Sequence, residues 1–192
     1  MPSNTQLIAI TGSHSTGKTT LINDLSRSLN SKGLDHSVIS EIPREICRQL
    51  GDDAFHRDKN TLSKQTMLMM LQLARERAAT SRITLSDRTI LDHWIYTKNT
   101  FNATKEFIEL RDILFSAVAD SLSAYRLILY IPIEIPLQQD DVREDDKAFQ
   151  RQIDKDIKES LLNTGINFST ISGNPIERAD KTIKILENEG II

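Results

Sequence analysis

Residues Gly12–Thr19 read GSHSTGKT and follow the apolar run Leu7-Ile8-Ala9-Ile10. A glycine, four residues and then Gly-Lys-Thr form a complete phosphate-binding loop when a strand enters it and a helix leaves it. Both conditions are legible here, because Leu21, Ile22, Leu25 and Leu29 continue at helical spacing. The backbone N–H groups of Gly12, Ser13, His14, Ser15, Thr16 and Gly17 are then expected to point inward around a polyphosphate. They do so at a helix N-terminus, where the dipole favours negative charge. Lys18 is placed to reach the β- and γ-phosphates, and Thr19, with Thr20 beside it, offers a hydroxyl to Mg²⁺. The bland alternative is a glycine-containing turn before an ordinary helix. Strand, helix and Lys-Thr together favour a nucleoside triphosphate site.

The remaining pattern alternates strands with helices. Short apolar or β-branched runs at Leu7–Thr11, His36–Ser40, Ile83–Ser86, Arg126–Ile133 and Asn167–Ser172 predict strands covered on both faces. Helices are expected at Lys18–Ser31, Arg44–Leu50, Leu62–Thr80, Thr89–Lys98, Lys105–Ser121, Lys147–Leu162 and Pro175–Glu189. Pro175 suits a first helical turn and Gly190 a stop. Such alternation implies an α/β fold in three layers, a five-stranded, mostly parallel sheet with helices on both faces. No repeat or linker divides the 192 residues, so one domain over 1–192 is expected, with a lid segment at about 134–147.

Bulk properties bound the partners. A formal net charge of −3 argues against a strongly basic nucleic-acid surface. The single cysteine, Cys47, rules out an intramolecular disulfide and reads as a small buried apolar side chain rather than a nucleophile. The N-terminal residues lack a signal-peptide pattern, and no apolar run approaches membrane-spanning length. The default expectation is a soluble cytoplasmic protein with no membrane partner.

In parallel α/β sheets ligands bind at the carboxyl ends of the strands. After the second strand come Glu41 and, past Pro43, Arg44. An arginine in a first helical turn opposes the dipole, which favours acceptor contact over a plain Glu41–Arg44 surface pair. After the third strand come Asp87 and Arg88, with Asp92 further on. A carboxylate there can hold Mg²⁺ or accept a proton from an attacking hydroxyl. Arg88 offers a fork for phosphate or carboxylate; the alternative for Asp87 is a helix cap. His93, Trp94 and Tyr96 follow on the same helix, and packing against the core is expected of Trp94 and Tyr96. Beyond the fourth strand, Gln138 to Asp146 is polar and acidic, with Arg143 its lone positive charge. Arginine from a mobile segment commonly meets charge on a migrating phosphoryl group. Asn174 and Arg178 follow the fifth strand and are candidate contacts to a purine, although a strand–turn–helix junction explains them nearly as well.

In this order the elements resemble the nucleoside and nucleotide kinase branch of the P-loop proteins. The resemblance is greatest to the small ATPase/kinase family that includes the ribosylnicotinamide kinase domain of the bacterial NAD-biosynthesis regulator. It is carried by Gly12–Thr20, the Glu41-Ile-Pro-Arg44 turn, Asp87-Arg88 with Asp92, Asp141-Val-Arg143, and Gly173-Asn174 with Arg178. It implies a P-loop kinase fold and ATP·Mg²⁺-dependent transfer of the γ-phosphoryl group to a nucleoside-type hydroxyl or a nucleoside monophosphate. Lys18 would stabilise the migrating group, and Thr19 and Asp87 would serve the metal, Asp87 being either anchor or base. Glu41, Arg44, Arg88 and Asp92 would face the acceptor, and Arg143 would close from the lid. The chain lacks the DNA-binding and adenylyl-transfer domains of that regulator and the compact, arginine-rich lid of adenylate kinases.

Arg44 and Arg88 suit a phosphorylated acceptor, whereas Glu41 suits a hydroxyl. Two further readings stand beside a small-molecule kinase: a DNA kinase acting on a hydroxymethylated base, as in phage-type base modification, and a regulatory ATPase without a metabolite acceptor. The helix at 62–80 carries Met67, Leu68, Met69, Met70, Leu71 and Leu73. That exceeds what one helix face needs and fits either the central core or a homodimer contact.

Overall fold

The computed structural model describes residues 5–51, 55, 59–134 and 147–192. Five strands form one sheet: β1 (Gln6–Thr11), β2 (His36–Ile39), β3 (Ile83–Asp87), β4 (Leu127–Tyr130) and β5 (Phe168–Thr170), in the order β2-β3-β1-β4-β5. Every pairing is parallel, with β1 between β3 (Ile10 beside Asp87) and β4 (Thr11 beside Tyr130). The chain steps outward from β1 in one direction to β2, then crosses β1 to reach β4. The carboxyl end of β1 is therefore the switch point at which such sheets open a crevice.

Seven helices complete the described part: α1 (Lys18–Ser31), α2 (Ile42–Leu50), α3 (Leu62–Ala78), α4 (Ile90–Phe101), α5 (Lys105–Leu122), α6 (Lys147–Thr164) and α7 (Pro175–Asn188). Side chains of β1 alternate between two cores, as the strand period requires. Leu7 and Ala9 pack with Met69 of α3, Ile95 of α4, Val118 of α5 and Ile153 of α6. Ile8 and Ile10 pack with Leu21 and Leu25 of α1 and Leu186 of α7. These are the three layers expected from the sequence.

Differences from the expected elements lie mainly at their ends. Ile42 is helical although it precedes Pro43, which occupies the first turn of α2. The strand after α5 shortens to Leu127–Tyr130. In α3, Leu68 and Met69 are buried, whereas Met67 and Met70 stay exposed, so the methionines divide between core and surface. Cys47 is buried, as a small apolar side chain would be. Among the described residues, no helix is long and apolar enough to cross a membrane.

Candidate active site

The loop between β1 and α1 has the backbone that an anion cradle requires. Gly12 (φ 142°) and Gly17 (φ 91°) take positive φ, and Ser15 follows at 59°. A Cβ at Gly12 would collide with the Ile131 carbonyl oxygen, so the approach of the loop to β4 needs glycine. At the start of α1 no side chain caps the N–H groups and no acidic residue occupies the first turn. Thr61, Thr89, Thr104 and Asn174, by contrast, cap α3, α4, α5 and α7 with their own side chains. The N–H groups at the start of α1 are thus uncapped by any side chain, the arrangement in which a helix N-terminus can accept an anion. Ser13 Oγ is buried without a hydrogen-bond partner among the described residues, and Lys18 Nζ bends over the loop to donate to the Ser13 carbonyl at 2.5 Å.

Three further contacts hold this loop in place. Arg178 is buried and donates to the Thr16 carbonyl at 2.6 Å and to Glu134 at 2.9 Å. Gln150 Nε2 donates to the His14 carbonyl at 2.8 Å, and the His14 N–H donates to Tyr96 Oη at 3.0 Å.

Thr19 Oγ1 donates to Asp87 Oδ2 at 2.8 Å, while Asp87 Oδ1 is buried with no hydrogen-bond partner among the described residues. Burial, with repulsion from Glu41, raises the Asp87 pKa; Lys18, Arg88 and the Thr19 hydroxyl offset part of the rise. A hydroxyl and a carboxylate with an orphaned oxygen beside a phosphate loop are hard oxygen donors, and they fit Mg²⁺ shared with phosphate oxygens. Asp87 is not the cap of α4; Thr89 is, in a capping box with Asp92.

A cavity of about 550 Å³ opens beside the loop. His14, Glu41 and Arg88 line it at the strand tips, and Leu68, Tyr96, Phe101 and Phe149 give it apolar and aromatic walls. Glu41, nearly buried, accepts from Arg88 Nε at 3.1 Å and Nη2 at 2.8 Å, and from Arg44 Nε at 2.8 Å. Burial acts against the charge on Arg88, but Glu41, Tyr96 and Asp92 outweigh it and raise its pKa. The Arg88 guanidinium also lies 5.0 Å from the Tyr96 ring centroid, a cation–π distance. Arg88 itself sits at φ 91°, a strained backbone for a non-glycine residue, held by Arg88 N–H to the Ile10 carbonyl and Gln72 Nε2 to the Arg88 carbonyl.

Several sequence expectations find different places. Arg44 does not line the cavity: it grips Glu41 from the solvent side, 41% exposed. Asp92 also stands outside the lining; it is fully buried, accepts from Thr11 Oγ1, Thr89 N–H and Thr89 Oγ1, and lies 3.9 Å from Arg88. Arg44 thus bears on Glu41, and Asp92, anchored by Thr11 and Thr89, places a negative charge beside Arg88. Asn174 caps α7, and Arg178 braces the phosphate loop from behind, a position set by α7 packing on α1. Asp141 and Arg143 lie outside the described residues, as do 135–146 as a whole. Trp94 packs against Phe107 and Phe115, as expected. Tyr96 does more than pack: its hydroxyl reaches the phosphate loop and its ring lines the cavity. The spacing His93, Tyr96, Thr100 was the available signal that one face of α4 is turned to the cavity.

A family model described as an AAA domain matches residues 7–178. The chain belongs to that family. Among solved structures, the NadR protein in complex with NAD and AMP-PNP superposes with a TM-score of 0.71 at 19% identity, covering 97% of this chain and 50% of that one. The chain thus spans about half the length of NadR. Deoxyadenosine kinase from M. mycoides, with products dCMP and dCDP bound, gives 0.75 at 14% identity, covering 95% and 99%. The fold is that of the P-loop nucleoside kinases. No curated protein sequence matches the chain.

Proposed function

We propose that the protein transfers the γ-phosphoryl group of ATP, with Mg²⁺, to an uncharged nucleoside-type hydroxyl. The observation that carries the choice of acceptor is the pairing of Glu41 with both Arg88 and Arg44. Arg88, the arginine that lines the cavity, is already neutralised by Glu41, and Arg44 stands outside the lining. A nucleoside monophosphate would bring one to two further negative charges beside Glu41, with no uncompensated cation among the described lining residues. A hydroxyl brings none, and a carboxylate can accept its hydrogen bond. Aromatic walls suit a planar base, and the deoxyadenosine kinase of like fold has the nucleotides dCMP and dCDP bound.

In this reading Lys18 meets charge on the migrating phosphoryl group. Thr19 and Asp87 would hold Mg²⁺, which would supply charge neutralisation to the triphosphate. Glu41 orients the acceptor hydroxyl and Arg88 fixes Glu41. Arg143 is assigned to the lid on sequence grounds alone.

An acceptor screen with labelled ATP tests the reading. Nucleosides, their monophosphates, ribosylnicotinamide, and single-stranded and duplex DNA with hydroxymethylated bases serve as acceptors, with ADP release in their absence as the control. Label on a nucleoside hydroxyl is expected. Label on a monophosphate or on DNA replaces the acceptor, and ADP release alone replaces transfer with hydrolysis. Lys18→Ala should lower transfer on the order of a thousandfold while the fold survives.

A further inference from the structure

His93 is a titratable lining residue whose side chain the site above does not use. It lies on α4, 3% exposed, and lines the cavity beside the strand tips. Its Nε2 is fully buried and makes no hydrogen bond among the described residues. Around it Thr97 Oγ1 donates to the His93 carbonyl and Gln72 Nε2 donates to Glu76 and Ser86, whereas Gln72 Oε1 and Arg88 Nη1, like His93 Nε2, are buried with no hydrogen-bond partner among the described residues. Leaving a buried ring nitrogen without a partner disfavours folding, whereas an apolar side chain of similar shape would be nearly neutral there. A polar ring kept where packing alone would prefer leucine points to a bond made with something that enters the cavity.

The direction of the ring narrows what that is. Helical side chains lean toward the helix N-terminus, so His93 leans toward Arg88 and Glu41, away from Phe101 roughly 12 Å further along the helix. Its electrostatic neighbours are those same groups: burial first, then Arg88, lower its pKa to about 4, with Asp92 and Glu41 opposing. The imidazole is therefore neutral at ordinary pH, with one donor and one acceptor nitrogen. A hydroxyl, which both donates and accepts, can pair with either ring nitrogen.

We propose that His93 is a specificity-determining residue that hydrogen-bonds a secondary sugar hydroxyl of the acceptor, next to the hydroxyl that receives the phosphoryl group. This rests on the cavity being the acceptor site of a nucleoside kinase. Selection for that hydroxyl follows, because an acceptor lacking it leaves Nε2 buried and unsatisfied in the complex as well.

The test compares kcat/KM of the wild type, His93→Leu and His93→Gln on a ribonucleoside and on its 2′-deoxy and 3′-deoxy analogues, with the base held constant and then varied. Wild type is expected to disfavour one deoxy analogue roughly ten- to a hundredfold. His93→Leu should erase that gap by losing activity only on acceptors that carry the hydroxyl, and His93→Gln should restore part of it. Melting temperature of His93→Leu at or above that of the wild type would show that folding does not need the ring. The proposal is overturned if His93→Leu lowers all three acceptors alike, leaves all three unchanged, or alters preference among bases instead. If wild type releases ADP without phosphorylating any nucleoside, the transfer reading fails separately. Calorimetric binding of the same three nucleosides then decides for His93: a sugar-dependent gap that His93→Leu removes supports the subsite, and its absence overturns it.

Discussion

Thr19 and Asp87 are joined by a 2.8 Å hydrogen bond that ties the first turn of α1 to the tip of β3. Sixty-eight residues separate them in the chain, and only the parallel pairing of β1 with β3 brings Asp87 level with Ile10, at the mouth of the phosphate loop. Asp87→Asn should cut turnover roughly a hundredfold with a much smaller change in ATP affinity, the size expected for loss of a metal-orienting carboxylate. An unchanged rate would assign Asp87 to structure.

Glu41 is the counter-charge of a buried arginine. Glu41→Gln leaves Arg88 without its principal partner, and breaking a buried pair on one side costs about 3 kcal/mol or more. Denaturant unfolding should show that loss. Removing Arg44, which is partly exposed, should cost far less.

Glu76 gives a pH signature independent of catalysis. It accepts hydrogen bonds from Gln72, Ser86 and Tyr125, and burial raises its pKa from 4.5 to about 7. The folded state therefore holds a proton that the unfolded state releases between those values. This stabilisation is full below pH 4.5 and is lost as pH rises through 7, for a change of up to about 3 kcal/mol. Unfolding followed from pH 5 to pH 8 should show a decline that Glu76→Gln flattens.

Arg178 separates bracing from base recognition. Arg178→Ala removes the donor to the Thr16 carbonyl and should lower the melting temperature by several degrees, for a loss of about 2 kcal/mol. ATP and GTP should weaken together. A change confined to one of them would restore the purine contact expected from sequence.

The order of strands and helices was legible because each element carries its own period, and the phosphate loop because its glycines, lysine and threonine act within eight consecutive residues. Asp87 was legible as a polar residue at the end of an apolar strand. Harder to read were groups whose role depends on what lies opposite them. Arg44 and Arg88 look alike in sequence, yet one lines the cavity and the other backs Glu41 from outside. Arg178 reads in sequence as a candidate purine contact, and the packing of α7 against α1 sets it on the Thr16 carbonyl of the phosphate loop.

Local chemistry in the chain thus determined that a polyphosphate cradle forms and that its helix begins without a side-chain cap, both consequences of short-range backbone geometry. Tertiary structure decided the acceptor side. Sheet order sets β2 and β3 side by side, and this brings Glu41 and Arg88 to 2.8 Å, cancels their charge and turns Tyr96 and His93 into the cavity. Electrostatic pairing and burial act through space, so no reading of neighbours along the chain contains them.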